Sequence, residues 1–334
     1  MTSPTDDLGP GMGSTDADEY LSGLSNLPAP ARLTVGIVSA GRVGTAIGAA
    51  LEKAGHVVGG VVARSAVSRR RAAERLPDSE VLDLDRVVAR CELLILAVPD
   101  TELAGVIDTI ARSGALRRNT LVAHTAGAKG ISILAPLTVL GALPLAIHPA
   151  MTFVGTDEDT ARLRQACFGV TAADPVGFAI AQSLVLEMGG EPVRIAEDDR
   201  VLYHAALAHG ANHLITLISD AVTALNAAID GSAGAGRATA TVDGSANLLA
   251  ERILGPLVTA SLRNVLEMGP RALTGPVARG DAAAVADHLA ALRDLPAPAG
   301  RPDVTIAEGY RVLAARTATR TDPPTALLDV LEVS

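Results

Sequence analysis

The sequence predicts an α/β architecture: a mostly parallel sheet with helices on both faces, followed by an all-helical C-terminal region. Three observations carry this. Seven short, continuously apolar runs recur between residues 33 and 195, the texture of strands buried on both faces. Helix-length segments separate them, as the crossovers of a parallel sheet require. After Ile195 only helical periodicity remains. A chain of 334 residues, at about 150 residues per domain, is expected to hold two.

Residues 1–31 are Gly, Ser, Asp, Thr and Pro with no apolar period, closing in Leu27-Pro-Ala-Pro-Ala31, and read as a disordered acidic tail. A first domain over 32–196 places strands at Leu33–Val38, Val57–Ala63, Leu93–Val98, Thr120–His124, Leu145–His148, Cys167–Thr171 and Pro192–Ile195. Helices such as Val43–Ala54, Glu102–Ser113 and Val176–Met188 lie between them. In a second domain over 197–334, Asp198 or Asp199 caps a long helix running to about Ile229. A Gly/Ala/Ser/Thr loop, Asp230–Ser245, leads to a helix from about Ala246 to Met268, bent at Gly255-Pro256. Asp281 and Asp303 are placed to cap two further helices, Pro296–Gly300 reads as a linker, and the last dozen residues read as weakly ordered.

Composition excludes several classes of function. The net charge is −9, but five acids precede the first basic residue, Arg32, so the remainder carries only −4. A near-neutral body with three Tyr, three Phe and no Trp lacks both the basic stripe and the stacking groups of a nucleic-acid binder. The longest apolar stretch, Ile131–Ile147, is broken by Pro136, Gly141 and Pro144, which argues against a membrane span. The N-terminus has no secretory pattern, and Cys91 and Cys167 read as small hydrophobes in a reducing cytoplasm. Only Lys53 and Lys129 among the 28 basic residues are lysines, so lysine chemistry has two places to sit.

The strongest local motif is Gly36-Ile-Val-Ser-Ala-Gly-Arg-Val-Gly44, which follows a strand and opens a helix. A dinucleotide loop needs backbone close to the pyrophosphate, amides aimed at it and a helix N-terminus behind it. Gly41 and Gly44 hold the second and third glycine positions of that fingerprint, while Ser39 replaces the first and brings a hydroxyl. The cofactor residues expected from this stretch are Gly36, Ser39, Ala40, Gly41, Arg42, Val43 and Gly44. At the end of the second strand, Arg64-Ser65 stands where an NAD site usually has an acid. A guanidinium and a hydroxyl there suit a 2′-phosphate, which points to NADP (NADPH); Arg70 and Arg71 read as a solvated helix face. Val98 and Pro99, ending the Leu93–Val98 strand, are placed along the cofactor path. His124 ends another strand, either as a site residue or as a structural strand-end histidine.

The segments Gly36–Gly44, Leu93–Asp100, His124-Thr-Ala-Gly127, His148-Pro-Ala-Met-Thr-Phe153, Tyr203–Leu207 with Asn212, and Ala272–Asp281 occur in this order. Together, over about residues 33–315, they resemble Rossmann-like NADP-dependent oxidoreductases whose helical C-terminal half is a domain of unknown function. More distantly the arrangement is similar to pyrroline-5-carboxylate reductase, ketopantoate reductase, the β-hydroxyacid dehydrogenases and the deazaflavin-dependent NADP reductases. The resemblance implies a Rossmann-type sheet, a nicotinamide cofactor, a small substrate in the interdomain cleft and a homodimer through the helical domain. The β-hydroxyacid dehydrogenases and ketopantoate reductases donate a proton from a lysine on the first long helix after the sheet. No lysine follows Lys129 here, so that residue is not carried over.

The same helix instead holds Tyr203-His-Ala-Ala-Leu-Ala-His-Gly-Ala-Asn-His213. His204 and Asn212 fall on one face at 3.6 residues per turn. An imidazole suits proton donation at neutral pH, and Asn212 could hold a carbonyl oxygen; the alternative is a core histidine bonded to a neighbour. His148, before Pro149 at a strand end, is a second candidate acid. His209 and His213 are spaced for a metal, but no third ligand accompanies them, so no metal is expected. Thr274, Gly275 and Arg279 form a turn that could clamp a substrate carboxylate, with Asp281 as a cap or as an ion-pair partner of Arg279. The expected activity is NADPH-dependent reduction of a small carboxylate-bearing C=O or C=N compound. A 2-oxo acid of the ketopantoate type comes first and a cyclic imine second. The alternatives are a non-catalytic NADP-responsive binding module and a deazaflavin-linked NADP reductase.

Overall fold

The computed structural model describes residues 32–232, 249–296 and 304–332. The tail, most of the Asp230–Ser245 loop, Asp303 and most of the Pro296–Gly300 linker lie outside these residues. Among the described residues no helix is long and apolar enough to cross a membrane.

All seven apolar runs are strands of one sheet: β1 (Thr34–Val38), β2 (Val57–Val62), β3 (Leu93–Leu96), β4 (Leu121–His124), β5 (Leu143–Pro149), β6 (Cys167–Ala172) and β7 (Glu191–Arg194), in the order β2-β1-β3-β4-β5-β6-β7. The chain steps from β1 to β2 on one side and then to β3 on the other. Such a topological switch opens a crevice at the carboxyl ends of β1 and β3. Strand β6 runs antiparallel to β5, setting Gly169 opposite His148. The intervening helices are α1 (Arg42–Lys53), α2 (Ala66–Arg75), α3 (Leu84–Arg90), α4 (Asp100–Ser113), α5 (Ala135–Val139), α6 (Asp157–Leu163) and α7 (Pro175–Glu187). They cover two separate cores, one built on Ile37, Leu51, Ile95 and Phe168 and the other on Leu94, Leu96, Leu103 and Ile110.

The chain divides into two compact units after Leu207. The sheet unit therefore keeps the first turns of α8 (Arg200–Ser232), beyond the expected boundary at residue 196. The helical unit contains the rest of α8, α9 (Leu249–Met268), α10 (Gly275–Arg279), α11 (Ala282–Arg293), α12 (Ile306–Ala318) and α13 (Thr325–Glu332). Pro256 lies inside α9, near the predicted bend. Asp281 caps α11 by accepting from the Ala284 amide at 3.1 Å, as expected. The cap of α12 is Thr305, accepting from Glu308 N–H, where Asp303 was expected. Within the last dozen residues, expected to be weakly ordered, Thr325–Glu332 instead form α13, whose Leu327 and Leu331, one turn apart, are buried with Val285, Leu289 and Ala314.

Candidate active site

The loop Ser39–Gly41 carries the chain from β1 into α1 at the crevice. Gly41 is the N-cap of α1, no side chain caps it, and no acid occupies the first turn. The first amides are thus left for an anion, as a phosphate site requires. Ser39 takes φ of 86°, the left-handed region for which the first fingerprint glycine is normally used. A Cβ on Gly44 would overlap the Ser39 carbonyl oxygen, so the turn closes only around glycine there. Gly36 does not belong to this loop. It lies inside β1, where a Cβ would sit 2.7 Å from Val87 Cγ1, and its role is to admit α3 against the sheet.

A cavity of about 230 Å³ opens beside the loop. It brings together six of the expected cofactor residues, Ser39, Ala40, Arg64, Ser65, Val98 and Pro99. Val38, Val62, Ser68, Glu102 and Val106 also line it and were not foreseen. Ser65 and Ser68 form a capping box at the start of α2, with Ser65 Oγ accepting from Ser68 N–H at 3.0 Å. Arg64 is exposed at the mouth and makes no ion pair among the described residues. Arg70 pairs with Glu74 on the surface, as a solvated face would. Arg71 is different: its guanidinium donates to the Ala40 carbonyl at 3.4 Å and braces the glycine loop. Arg42 likewise donates to the Phe153 carbonyl, at 3.3 Å.

The second constellation lies at the carboxyl ends of β4 and β5 and the start of α8. Its organiser is Arg200, 1% exposed. Its guanidinium donates to the carbonyls of Lys129, Gly169 and Ala126 at 2.8, 3.0 and 3.0 Å, tying the loop after β4 to β6 and α8. Glu197 supports the same loop by accepting from the Ile131 and Ser132 amides at 2.7 and 2.9 Å.

His124 is fully buried beneath this loop. One ring nitrogen bonds the Gly130 carbonyl at 2.9 Å and the other accepts from the Ala126 amide at 3.2 Å. Burial pushes it down to about 4, so it is a neutral staple with no nitrogen left for a ligand. The strand-end alternative describes it, not contact with a cofactor.

His148 and His204 do come together. Their rings pack edge to face with centroids 5.8 Å apart. His148 Nδ1 lies 2.9 Å from the Tyr203 hydroxyl. Burial, reinforced by Arg200, His204 and His124, pushes His148 down to about 4, leaving it neutral at pH 7. His204 Nδ1 is buried and has no hydrogen-bond partner among the described residues. A Cβ on Gly127 would overlap that nitrogen and lie 3.0 Å from His148 Nε2, so both rings converge over a residue without a side chain. Sequence reasoning missed Arg200, Tyr203 and Gly127 as parts of this group. The Gly127 of the His124-Thr-Ala-Gly127 segment was the available signal.

Asn212 is exposed on the part of α8 that belongs to the helical unit. His209 and His213 are exposed there too and bond each other through their Nδ1 atoms at 2.9 Å. Among the described residues no three His, Cys, Asp or Glu side chains gather as a metal site. Thr274 is the N-cap of α10, Gly275 takes φ of 92°, and Arg279 is exposed without an ion pair among the described residues.

No curated protein matches the chain. A candidate NADP oxidoreductase from Bacteroides fragilis has 21% identity and a TM-score of 0.66, covering 86% of this chain and 98% of that one. A Thermotoga maritima protein follows at 19% and 0.58, with 86% and 98% coverage. An imine reductase from a Pseudomonas species has 15% identity and a TM-score of 0.54, covering 90% of this chain and all of that one (100%). At these identities the likeness is one of fold. Residues 22–149 match the family described as a Rossmann-like domain, and residues 166–317 match the domain of unknown function DUF2520.

Proposed function

We propose that the protein is an NADP(H)-dependent oxidoreductase that reduces a small carboxylate-bearing C=O or C=N compound. The observation that carries this reading is the Ser39–Gly44 turn, closed around Gly44 and opening beside a cavity edged by Arg64, which has no ion pair among the described residues. Proteins of this fold named as NADP oxidoreductase and imine reductase are consistent with it. A nicotinamide dinucleotide, when bound, supplies the hydride. The chain's own residues hold it: Gly41 to Gly44 present amides to the pyrophosphate, and Arg64 with Ser65 receives the 2′-phosphate. Glu102 is the one acid among the residues lining this cavity, and it comes from α4, not from the end of β2. His204 supplies the proton beside Gly127. A 2-oxo acid of the ketopantoate type is the first substrate and a cyclic imine the second.

The test begins with binding. NADPH is expected to bind more tightly than NADH in a calorimetric titration. Arg64→Ala should cost NADPH roughly 10- to 100-fold while leaving NADH nearly unchanged, the size of one or two charge-assisted hydrogen bonds. Tighter NADH binding by the wild type would remove the NADP reading. Turnover of oxo acids and cyclic imines is then followed by NADPH absorbance, where His204→Gln should lose most of the rate. A wild type inert to the whole panel counts against reduction of this substrate class.

We also infer a homodimer through the helical unit. Ile253, Leu257, Leu262, Val265 and Leu266 of α9 stand 46–78% exposed. A groove of about 810 Å³ in the same unit is lined by Leu217, Leu273, Leu292, Ile306 and Leu313. Exposed apolar side chains and an apolar groove in one unit are features that an interface between copies would cover. Sedimentation velocity should show a dimer at micromolar concentration, and Leu257→Glu with Leu266→Glu should shift it to monomer. A wild-type monomer would dispose of the inference.

A further inference from the structure

We propose that Tyr203 is a positioning residue that fixes His148 in the tautomer carrying its proton on Nε2, so that His148 offers a neutral N–H donor over Gly127 to the oxygen or nitrogen of the substrate's reacting double bond. This rests on the reductase reading above and adds to it a group with a role distinct from that of His204.

The argument is a count of donors and acceptors. A phenol has one hydrogen to donate, and a neutral imidazole has one N–H and one lone pair. Among the described residues the only acceptor for the Tyr203 hydroxyl hydrogen is His148 Nδ1, at 2.9 Å, while the Gly169 backbone acts on the phenol oxygen as a donor. If Nδ1 carried the proton, it would donate to the phenol oxygen and leave the phenol hydrogen without an acceptor in a half-buried site. If Nδ1 carries the lone pair, the phenol donates to it and both groups are satisfied. The proton of His148 then sits on Nε2. This is the ordinary way a partner on one ring nitrogen decides the chemistry of the other.

The surroundings keep the ring neutral, so that it stays a donor without becoming a cation. The charged and titratable groups facing it are Arg200, His204, His124 and Tyr203. The three nitrogenous groups all oppose a second proton. Tyr203 is itself held in place from both sides. A Cβ on Gly169, the residue opposite His148 across the β5–β6 pair, would sit 2.7 Å from the phenol oxygen, and the Arg200 guanidinium lies 5.7 Å from the ring centre.

The Nε2 side of His148 faces Gly127, which has no side chain. The same spot is met by the unpartnered His204 Nδ1. Two ring nitrogens that meet no hydrogen-bond partner among the described residues therefore converge beside Gly127. An acceptor atom brought within reach of Nε2 would complete His148 and leave His204 free for proton transfer. A neutral imidazole polarising a carbonyl in this way adds no charge to the ground state and becomes most useful as negative charge develops.

Long-range proton–nitrogen correlation spectra of the full-length, nitrogen-labelled protein read the tautomer directly, with His148→Gln used only to assign the signals. In the wild type the His148 ring should show a protonated Nε2 and a bare Nδ1 from about pH 8 down to about pH 5, below the ordinary histidine range. Tyr203→Phe should lose that preference and give mixed tautomers, while its NADPH affinity stays at the wild-type value. A wild-type His148 protonated on Nδ1 overturns the proposal, as does a Tyr203→Phe protein that keeps Nε2–H unchanged. The wild-type spectrum decides the matter even where the variant does not fold. Turnover is a separate axis: a correct tautomer in a protein that reduces nothing defeats the reductase reading, and an incorrect tautomer in an active enzyme defeats this proposal alone.

Discussion

Replacing Arg200 with Met should lower the unfolding midpoint of the protein by roughly 10 °C, from a loss of about 3–5 kcal/mol. The guanidinium is buried and donates to three backbone carbonyls, of Ala126, Lys129 and Gly169. Methionine fills much of the same volume but leaves three acceptors facing an apolar chain, each costing about 1–3 kcal/mol if no water reaches it. One effect opposes this. Burial holds the Arg200 guanidinium below its ordinary value, a sign that the cation itself is expensive to keep there, so removing it returns part of the loss. The carbonyls outweigh it because they tie the loop after β4 to β6, two segments about 40 residues apart in the chain. Arg200→Lys should recover only part of the stability, since an ammonium lacks the planar fork that reaches three directions. Thermal and urea unfolding of both variants measure this. A midpoint for Arg200→Met within about 2 °C of wild type would show that the carbonyls find other donors.

Arg200 also marks where the sequence stopped being legible. The strands could be read because a strand covered on both faces is apolar at every position, and Leu93–Leu96 or Leu121–His124 look the same in the chain as in the sheet. Their direction could not: the apolar run of β6 carries no mark that it pairs antiparallel with β5. The cavity beside the Ser39–Gly41 turn was legible at Ser39, Arg64, Ser65 and Val98 because loop and strand-end positions follow from the fold class alone. The histidine constellation was half legible. His148 and His204 could be named, but which histidine is a ligand and which a staple depends on what each nitrogen meets. His124 and His148 end adjacent strands and differ only in that His124 finds Gly130 and Ala126 while His148 finds Tyr203. An arginine one turn before a histidine looks like solvent-facing helix until the sheet it enters is known. Gly36 shows the reverse case, a glycine assigned to a ligand that serves packing against Val87 and Cys91.

Gly44→Ala should weaken NADPH binding at least about 100-fold, near 3 kcal/mol, with a much smaller effect on the unfolding midpoint. The reason lies in what the new methyl meets. At Gly44 it would overlap the carbonyl oxygen of Ser39, and Ile37 Cγ2 and Ala97 Cβ stand at 3.1 and 3.2 Å on its other sides. Backbone cannot rotate away as a side chain can, so the Ser39–Gly41 turn itself has to move. That turn is already held in an unfavourable conformation, with Ser39 at φ of 86° and Arg71 bonded to the Ala40 carbonyl, so displacement misplaces the amides that face the pyrophosphate. Gly48, one turn further along α1, is the control. Its Cβ would meet the two Leu76 methyl groups at 3.1 Å, flexible ends that can give by a few tenths of an ångström. Gly48→Ala should therefore change NADPH affinity by less than about threefold, under 1 kcal/mol. Calorimetric titration of both variants separates the two outcomes. If Gly44→Ala binds NADPH as Gly48→Ala does, the turn is not the cradle of the cofactor, and the expectation that began with a serine in a glycine's place loses its structural basis.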